Sequence, residues 1–342
     1  MFTLRRLSFS TVLGVACQFA GWSSAAEPMK VGIIGLDTSH VVAFTTAIQK
    51  ASAESPLSRL KVVAAFPGGS PDVESSHTRV EGFTETLREQ GVEIVDSIEA
   101  LLPKVDAVLL ESVDGRPHLA QATPVFEANR NAKVKKPLFI DKPIAASLAD
   151  TLKIFRLAEE TGTPCFSSSS LRYYPGIVAV NAEQKFGDVV GCVAFSPCSL
   201  EEHHPDLYWY GVHGVEILFT IMGPGCESVT CTATSDTHVV TGVWKDGRVG
   251  TFRGIRSGKT GYGALIFGTK ANGQAEDRKG GYEPLLLEVA KFFTTGKPPV
   301  APEVTTEIMA FMEAADESKR LEGKRVSIAE LMKKAKVAAK SN

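Results

Sequence analysis

Four short stretches of the chain gather the residue types that bind anions and move protons. "VGIIGLDTSH" puts Asp37, Thr38, Ser39 and His40 just after an apolar run. "FIDKP" puts Asp141 beside Lys142 and ahead of Pro143. "SLRYYP" offers Arg172 and Tyr173, and "YWYGVHGVE" offers Trp209, Tyr210, His213 and Glu216. A lysine can donate to an alcohol that is becoming a carbonyl, or exchange protons with it. A histidine suits the same task because its ordinary pKa lies near working pH. The planar arginine fork matches a carboxylate or the hydroxyls of a substrate, and Trp209 or Tyr210 can stack on a sugar face. Each also has a plain alternative: a solvent-facing Lys142, a surface ion pair at Arg172, interdomain packing by Trp209 and Tyr210.

These residues need elements to hold them. "KVGIIG", "LKVVAAF", "VDAVLLES" and "KPLFID" are short buried strands, and "VVAFTTAIQKASA" and "HLAQATPVFEANRN" are helices between them. Strand–helix–strand repetition requires parallel pairing and right-handed crossovers, so the first half is expected to be a Rossmann-like doubly wound sheet. Capping boxes are expected at Asp96 with Glu99 and at Ser147 with Asp150, and Gly162 is expected as a helix stop. "TPCFSSS" reads as one more strand. From about residue 187 strands dominate, with Asp246-Gly247 as a two-residue hairpin turn. An α+β unit with a mostly antiparallel open sheet and C-terminal helices follows, one helix burying Ile308, Met312 and Ala315. The expected layout is residues 1–26 as a signal peptide, 27–145 as the dinucleotide-binding unit and 146–342 as the substrate and oligomerisation unit.

In order and spacing, these pieces resemble the Gfo/Idh/MocA oxidoreductases, a group that includes glucose–fructose oxidoreductase and inositol dehydrogenase. "FIDKPIAASLAD" resembles their Glu-Lys-Pro segment with Asp141 in place of the glutamate. "VDAVLLES…PHLAQA" is similar to their fourth-strand region, with His118 in a familiar place, and "YGVHGVEILFTIMGP" to the helix that carries their histidine and carboxylates. The resemblance implies NAD or NADP bound by Gly35, Asp37, Thr38, Ser39, His40, Ser112, Asp141 and Lys142. It implies Lys142 and His213 as the groups that handle a hydroxyl proton. It also implies a sugar or polyol held by Arg172, Tyr173, Trp209, Tyr210 and Glu216, and a homo-oligomer.

The fingerprint departs from the pattern. Gly35 is the first glycine of G-x-G-x-x-G, but Asp37 and His40 replace the other two, and "FPGG" after the second strand supplies no acid for a ribose. A carboxylate about 4 Å from a phosphate costs roughly 1–4 kcal/mol. Either Asp37 turns to solvent or caps the helix while Thr38, Ser39 and His40 serve the anion, or the dinucleotide is gone. Two readings follow: an exported NAD(P)-dependent oxidoreductase on a sugar, polyol or derivative, or a cofactor-free carbohydrate-binding or scaffold protein of the same fold.

The totals narrow the field. The chain has 342 residues and a net charge of −2, with no large basic block to suggest nucleic acid. "MFTLRR", an apolar run and "SSAA" read as an export leader, with Arg5-Arg6 admitting the twin-arginine route and Cys17 a lipid anchor. Export leaves a mature chain with no membrane span, periplasmic or extracellular. The five later cysteines are read as buried apolar residues, with a Cys226–Cys231 bridge as the alternative. His203-His204 is read as a solvated loop, and no metal site is expected.

Overall fold

A computed structural model describes residues 27–275 and 280–340. The expected leader and Cys17 lie outside the described residues. The first half runs β1 Met29–Ile34, α1 Ser39–Gln49, β2 Leu60–Phe66, α2 Glu74–Glu89, β3 Glu93–Ile94 and α3 Ile98–Leu101. It continues through β4 Ala107–Leu110, α4 His118–Arg130, β5 Leu138–Ile140, α5 Leu148–Thr161 and β6 Cys165–Ser167. These six strands form one parallel sheet in the order β3-β2-β1-β4-β5-β6. The sheet therefore takes a further strand beyond residue 145.

Both faces of this sheet are covered, as parallel pairing demands. Side chains alternate along β1: Val31 and Ile33 join a core with Phe44, Phe139, Phe166 and Phe292, while Ile34 joins Val108, Leu110 and Phe126 on the other side. The strand order reverses direction between β1 and β4, and ligands of such sheets bind at the carboxyl ends beside that point.

The second half runs α6 Pro175–Ala182, β7 Val189–Pro197, α7 Asp206–Trp209, α8 Val212–Met222, β8 Cys226–Ala233, β9 Thr237–Trp244, β10 Val249–Ile255 and β11 Gly263–Gly268. It ends with β12 Asn272–Gln274, α9 Glu283–Thr295, α10 Pro302–Arg320, β13 Val326–Ser327 and α11 Ile328–Ala338. The sheet order is β12-β11-β7-β10-β9-β8-β13, antiparallel throughout except where β7 runs parallel to β10. Gly214 lets α8 lie hard against this sheet, since a Cβ there would stand 2.2 Å from the ring of Phe252. Helix α9 then returns to the first sheet, where Phe292 meets Phe166 edge-on at 4.7 Å.

Most local expectations hold. Ser147 caps α5 by accepting from the Asp150 N–H, and Gly162 ends it in the left-handed region at φ 64°. Gly247 turns the β9–β10 hairpin at φ 85°. One does not hold: the cap of α3 is Ser97, whose hydroxyl accepts from Ala100 N–H, so Asp96 and Glu99 form no capping box. All five described cysteines are buried and free, as the main reading expects, and the alternative Cys226–Cys231 bridge is not formed. Among the described residues no helix is long and apolar enough to cross a membrane.

Candidate functional site

The turn after β1 sets the site. Gly35 takes φ 87°, and a Cβ there would fall 2.2 Å from Ser112 Oγ, so only glycine fits. Gly35 N–H donates to Phe66 O at 2.9 Å and Leu36 N–H to Pro67 O at 2.7 Å, which zips the end of β2 onto this turn. Asp37 neither faces solvent nor caps the helix. Its buried carboxylate accepts from Val113 N–H at 2.8 Å and from Ser76 Oγ at 2.7 Å. Thr38 is the cap instead, its hydroxyl accepting from His40 N–H at 3.4 Å. Burial pushes the Asp37 carboxyl above its usual range despite these hydrogen bonds.

The contacts around Asp37 extend outward. Ser76 Oγ also accepts from Ser70 N–H at 2.7 Å, and Ser70 Oγ donates to Asp114 at 2.6 Å. Arg116 grips Asp72 with two 2.8 Å hydrogen bonds and reaches Asp114 with the same guanidinium. His204 lies 2.9 Å from Asp114 and 2.6 Å from Glu201. His204 is therefore a buried link between the two halves, not part of a solvated loop. Together these contacts close the crevice between the ends of β2 and β4.

What stays open is a cleft of about 490 Å³ between the halves. Thr38, Ser39 and His40 line it from the start of α1, and Ser75 and Arg79 from α2. Lys142 and His213 line it too, with a ring of Tyr174, Trp209, Tyr210, Tyr262 and Tyr282. The first amides of α1 have no intrahelical acceptor and meet the positive end of the helix dipole here.

His40, Glu111, Asp141 and Lys142 cluster beside the cleft. His40 Nδ1 stands 2.9 Å from Asp141 and 3.6 Å from Glu111, and Lys142 Nζ stands 3.6 Å from Asp141. Burial disfavours charge on His40, but the two carboxylates outweigh it and lift the imidazole to about 9. Burial lifts Glu111 to about 7. Burial would raise Asp141 as well, but the charges of His40 and Lys142 overcome it and hold the carboxyl well below its usual range.

His213 is buried, and burial then the Lys142 charge keep its imidazole well below the ordinary histidine value. Its Nδ1 lies 2.7 Å from Ser169 Oγ. That hydroxyl accepts from Leu171 N–H at 3.2 Å and has a second lone pair and a proton left, so it can either donate to Nδ1, with the neutral ring's proton on Nε2, or accept from Nδ1–H.

The structure does not bring every expected residue into the cleft. Glu216 accepts from Ser168 Oγ at 2.9 Å and pairs with Arg172, so these two charged groups are committed to each other. Tyr173 packs against the core around Phe44 and Phe166, and Tyr174 takes the place at the cleft. Ser112 lies under Gly35 and donates to Gln121 at 2.8 Å. His118 is buried between the carbonyls of Ser112 and Ile144, as a strut. Sequence reasoning missed Ser75, Arg79, Tyr174, Tyr262 and Tyr282. Only the doubled tyrosine of "RYYP" could have pointed to one of them.

The cofactor that the fold implies can be tested against these residues. A nicotinamide ribose and its phosphate fit at Thr38, Ser39 and Lys142, where a helix start, hydroxyls and a cation converge. An adenosine between β2 and β4 would have to displace the contacts of Asp37, Ser70 and Arg116, whereas Ser75 and Arg79 of α2 line the open cleft and offer it another place.

No protein-family profile matches the sequence, and no curated protein matches it. Solved structures do. A probable dehydrogenase from Thermotoga maritima is 19% identical with a TM-score of 0.68, covering 88% of this chain and 100% of its own. The chain has the Gfo/Idh/MocA fold. Scyllo-inositol dehydrogenase from Lactobacillus casei, solved with NAD(H) and scyllo-inositol, shares this fold at 15% identity and a TM-score of 0.70, covering 89% and 100% of the two chains. A structure from Desulfitobacterium hafniense, described as a putative NADPH-dependent oxidoreductase, shares it at 17% identity and a TM-score of 0.71, covering 90% and 100%.

Proposed function

We propose that the protein is an NAD(P)-dependent oxidoreductase acting on a sugar, polyol or sugar derivative. The observation that carries this is the cleft itself: Lys142 and His213 both line it, at the carboxyl edge of the parallel sheet, within a ring of aromatic side chains. Thr38 and Ser39 would hold the phosphate next to the nicotinamide, and Arg79 the more distant one. Bound nicotinamide supplies the hydride transfer. This chain's residues do the rest. Lys142 gives the reacting oxygen its proton, and the neutral ring of His213 hydrogen-bonds that oxygen through Nε2, the nitrogen Ser169 does not engage. With Ser169 donating to Nδ1, Nε2–H can donate to a carbonyl oxygen; with Ser169 accepting from Nδ1–H, Nε2 is the free acceptor for a hydroxyl proton in the oxidising direction. Tyr210 and Trp209 offer faces for the sugar ring. Neighbours of the same fold bind such molecules, one scyllo-inositol and another L-tartaric acid.

We further propose that this activity lies outside the cytoplasm, a reading supported only by the leader-like N-terminal sequence. The outward face of the second sheet exposes Val249, Leu265 and Phe267, and we assign it to a second copy of the chain. Size-exclusion chromatography with light scattering checks that assignment.

The test is turnover. The mature protein, a panel of polyols and sugars and each nicotinamide dinucleotide are mixed, and the near-ultraviolet absorbance of the reduced cofactor is followed. Formation or loss of reduced cofactor with one substrate class supports the proposal. A second reading rests on the closed crevice: a carbohydrate-binding protein that has given up the dinucleotide. It expects sugar binding with no redox change in any combination.

A further inference from the structure

We propose that His40, Glu111 and Asp141 form a binding site for one divalent transition-metal cation. The three residues come from three neighbouring positions in the sheet. His40 lies in the first turn of α1 after β1, Glu111 directly follows β4, and Asp141 directly follows β5. One donor atom from each lies within 4.8 Å of the others. The two measured separations from His40 Nδ1 are 2.9 Å to Asp141 Oδ2 and 3.6 Å to Glu111 Oε2. Metal–ligand bonds of roughly 2.0–2.2 Å in tetrahedral or octahedral arrangements place adjacent donor atoms about 2.9–3.5 Å apart. The two separations from His40 lie at or just beyond that spacing.

The second observation is what these atoms lack. Both oxygens of Glu111, both oxygens of Asp141 and Nδ1 of His40 are buried, and none has a well-formed hydrogen bond among the described residues. Buried carboxylates are ordinarily satisfied, because desolvation without a partner is expensive. Apart from His40 itself, the cation beside them is Lys142, 3.6 Å from Asp141. A single ion between the three would satisfy all of them together. One imidazole and two carboxylates suit zinc, manganese or iron(II) better than the all-oxygen set that magnesium prefers. The ion would bind the ends of β1, β4 and β5 together where the strand order reverses. It would fix the imidazole of His40, which packs against Tyr282 at 4.6 Å. The proposal stands whether or not a dinucleotide binds.

A proton on His40 is the rival occupant, and the experiment separates the two. The mature protein is dialysed against a chelator, checked for folding by circular dichroism, and titrated calorimetrically with Zn²⁺, Mn²⁺ and Mg²⁺. Expected are one tight Zn²⁺ or Mn²⁺ per chain, weak Mg²⁺, and an affinity lowered at least about tenfold in Glu111→Gln and Asp141→Asn. Asp246→Asn, on the exposed hairpin, binds as the wild type does. If the variants do not fold, the Co²⁺ absorption spectrum of the wild type reports on the ligand set instead. A folded wild type that binds no Zn²⁺ or Mn²⁺ at millimolar concentration overturns the proposal and leaves His40 as a buried imidazolium. Binding that is unchanged in both folded variants overturns it too, as does a Co²⁺ spectrum identical to that of the aquo ion.

Discussion

The backbone N–H of Val113 donates to Oδ1 of Asp37 across 2.8 Å, tying the turn after β1 to the segment after β4. Asp37→Ala leaves that amide and the Ser76 hydroxyl without their acceptor. It is expected to cost about 1–3 kcal/mol, read from chemical denaturation. Asp37→Asn keeps an acceptor for Val113. Because burial raises the folded pKa of Asp37, its contribution is full below its unfolded pKa and is lost as pH rises. The Asn variant is therefore expected to gain on wild type as pH rises.

Asp316, on α10, gives a second pH signature. Burial and then the charge of Asp206 lift its carboxyl from 3.8 to about 7. The folded pKa exceeds the unfolded one, so this group's stabilising contribution is present below about 4 and disappears as pH climbs through about 7. Thermal melts of Asp316→Asn against wild type should diverge over that window, with the variant relatively more stable at the alkaline end. Parallel curves would show that Asp316 ionises normally.

Gly214 sits between His213 and the helix face turned to the sheet. Gly214→Ala forces a methyl into the Phe252 ring and should destabilise by about 1–3 kcal/mol. Since α8 must shift to make room, turnover should fall by more than the loss of folded protein explains. A circular dichroism melt paired with an activity measurement separates the two effects.

Lys142→Met and His213→Ala test the assigned chemistry. Each is expected to lower kcat/KM by roughly 10²–10⁴-fold, while sugar affinity measured without turnover changes far less. Loss of sugar binding in step with turnover would make these residues binding groups only.

Much of the fold was legible in the sequence because its signals are local. Short apolar runs separated by helical periods require a parallel sheet, and Ser147 and Gly162 mark helix ends by chemistry of their own. The site was legible only in part. Lys142 and His213 stood out within their motifs, but Arg172 and Glu216 offered the same residue types and proved to be partners of each other. Nothing in a linear reading joins Asp37 to Ser76, or Asp114 to His204, because those contacts depend on loops packing across the sheet edge. The cluster of His40, Glu111 and Asp141 was invisible for the same reason: three strand ends adjacent in space are far apart in the chain. Tyr262 and Tyr282 reach the cleft from segments that carry no motif.

The central claim is that this cleft binds a nicotinamide dinucleotide although the crevice between β2 and β4 is closed. Calorimetric titration of the mature protein with NAD⁺, NADP⁺ and nicotinamide mononucleotide, after denaturing a portion to measure cofactor carried through purification, tests it most directly. The account predicts saturable binding of a dinucleotide, or its release on denaturation, with binding weakened in Arg79→Ala. No released cofactor and no heat of binding from either dinucleotide at millimolar concentration would contradict it.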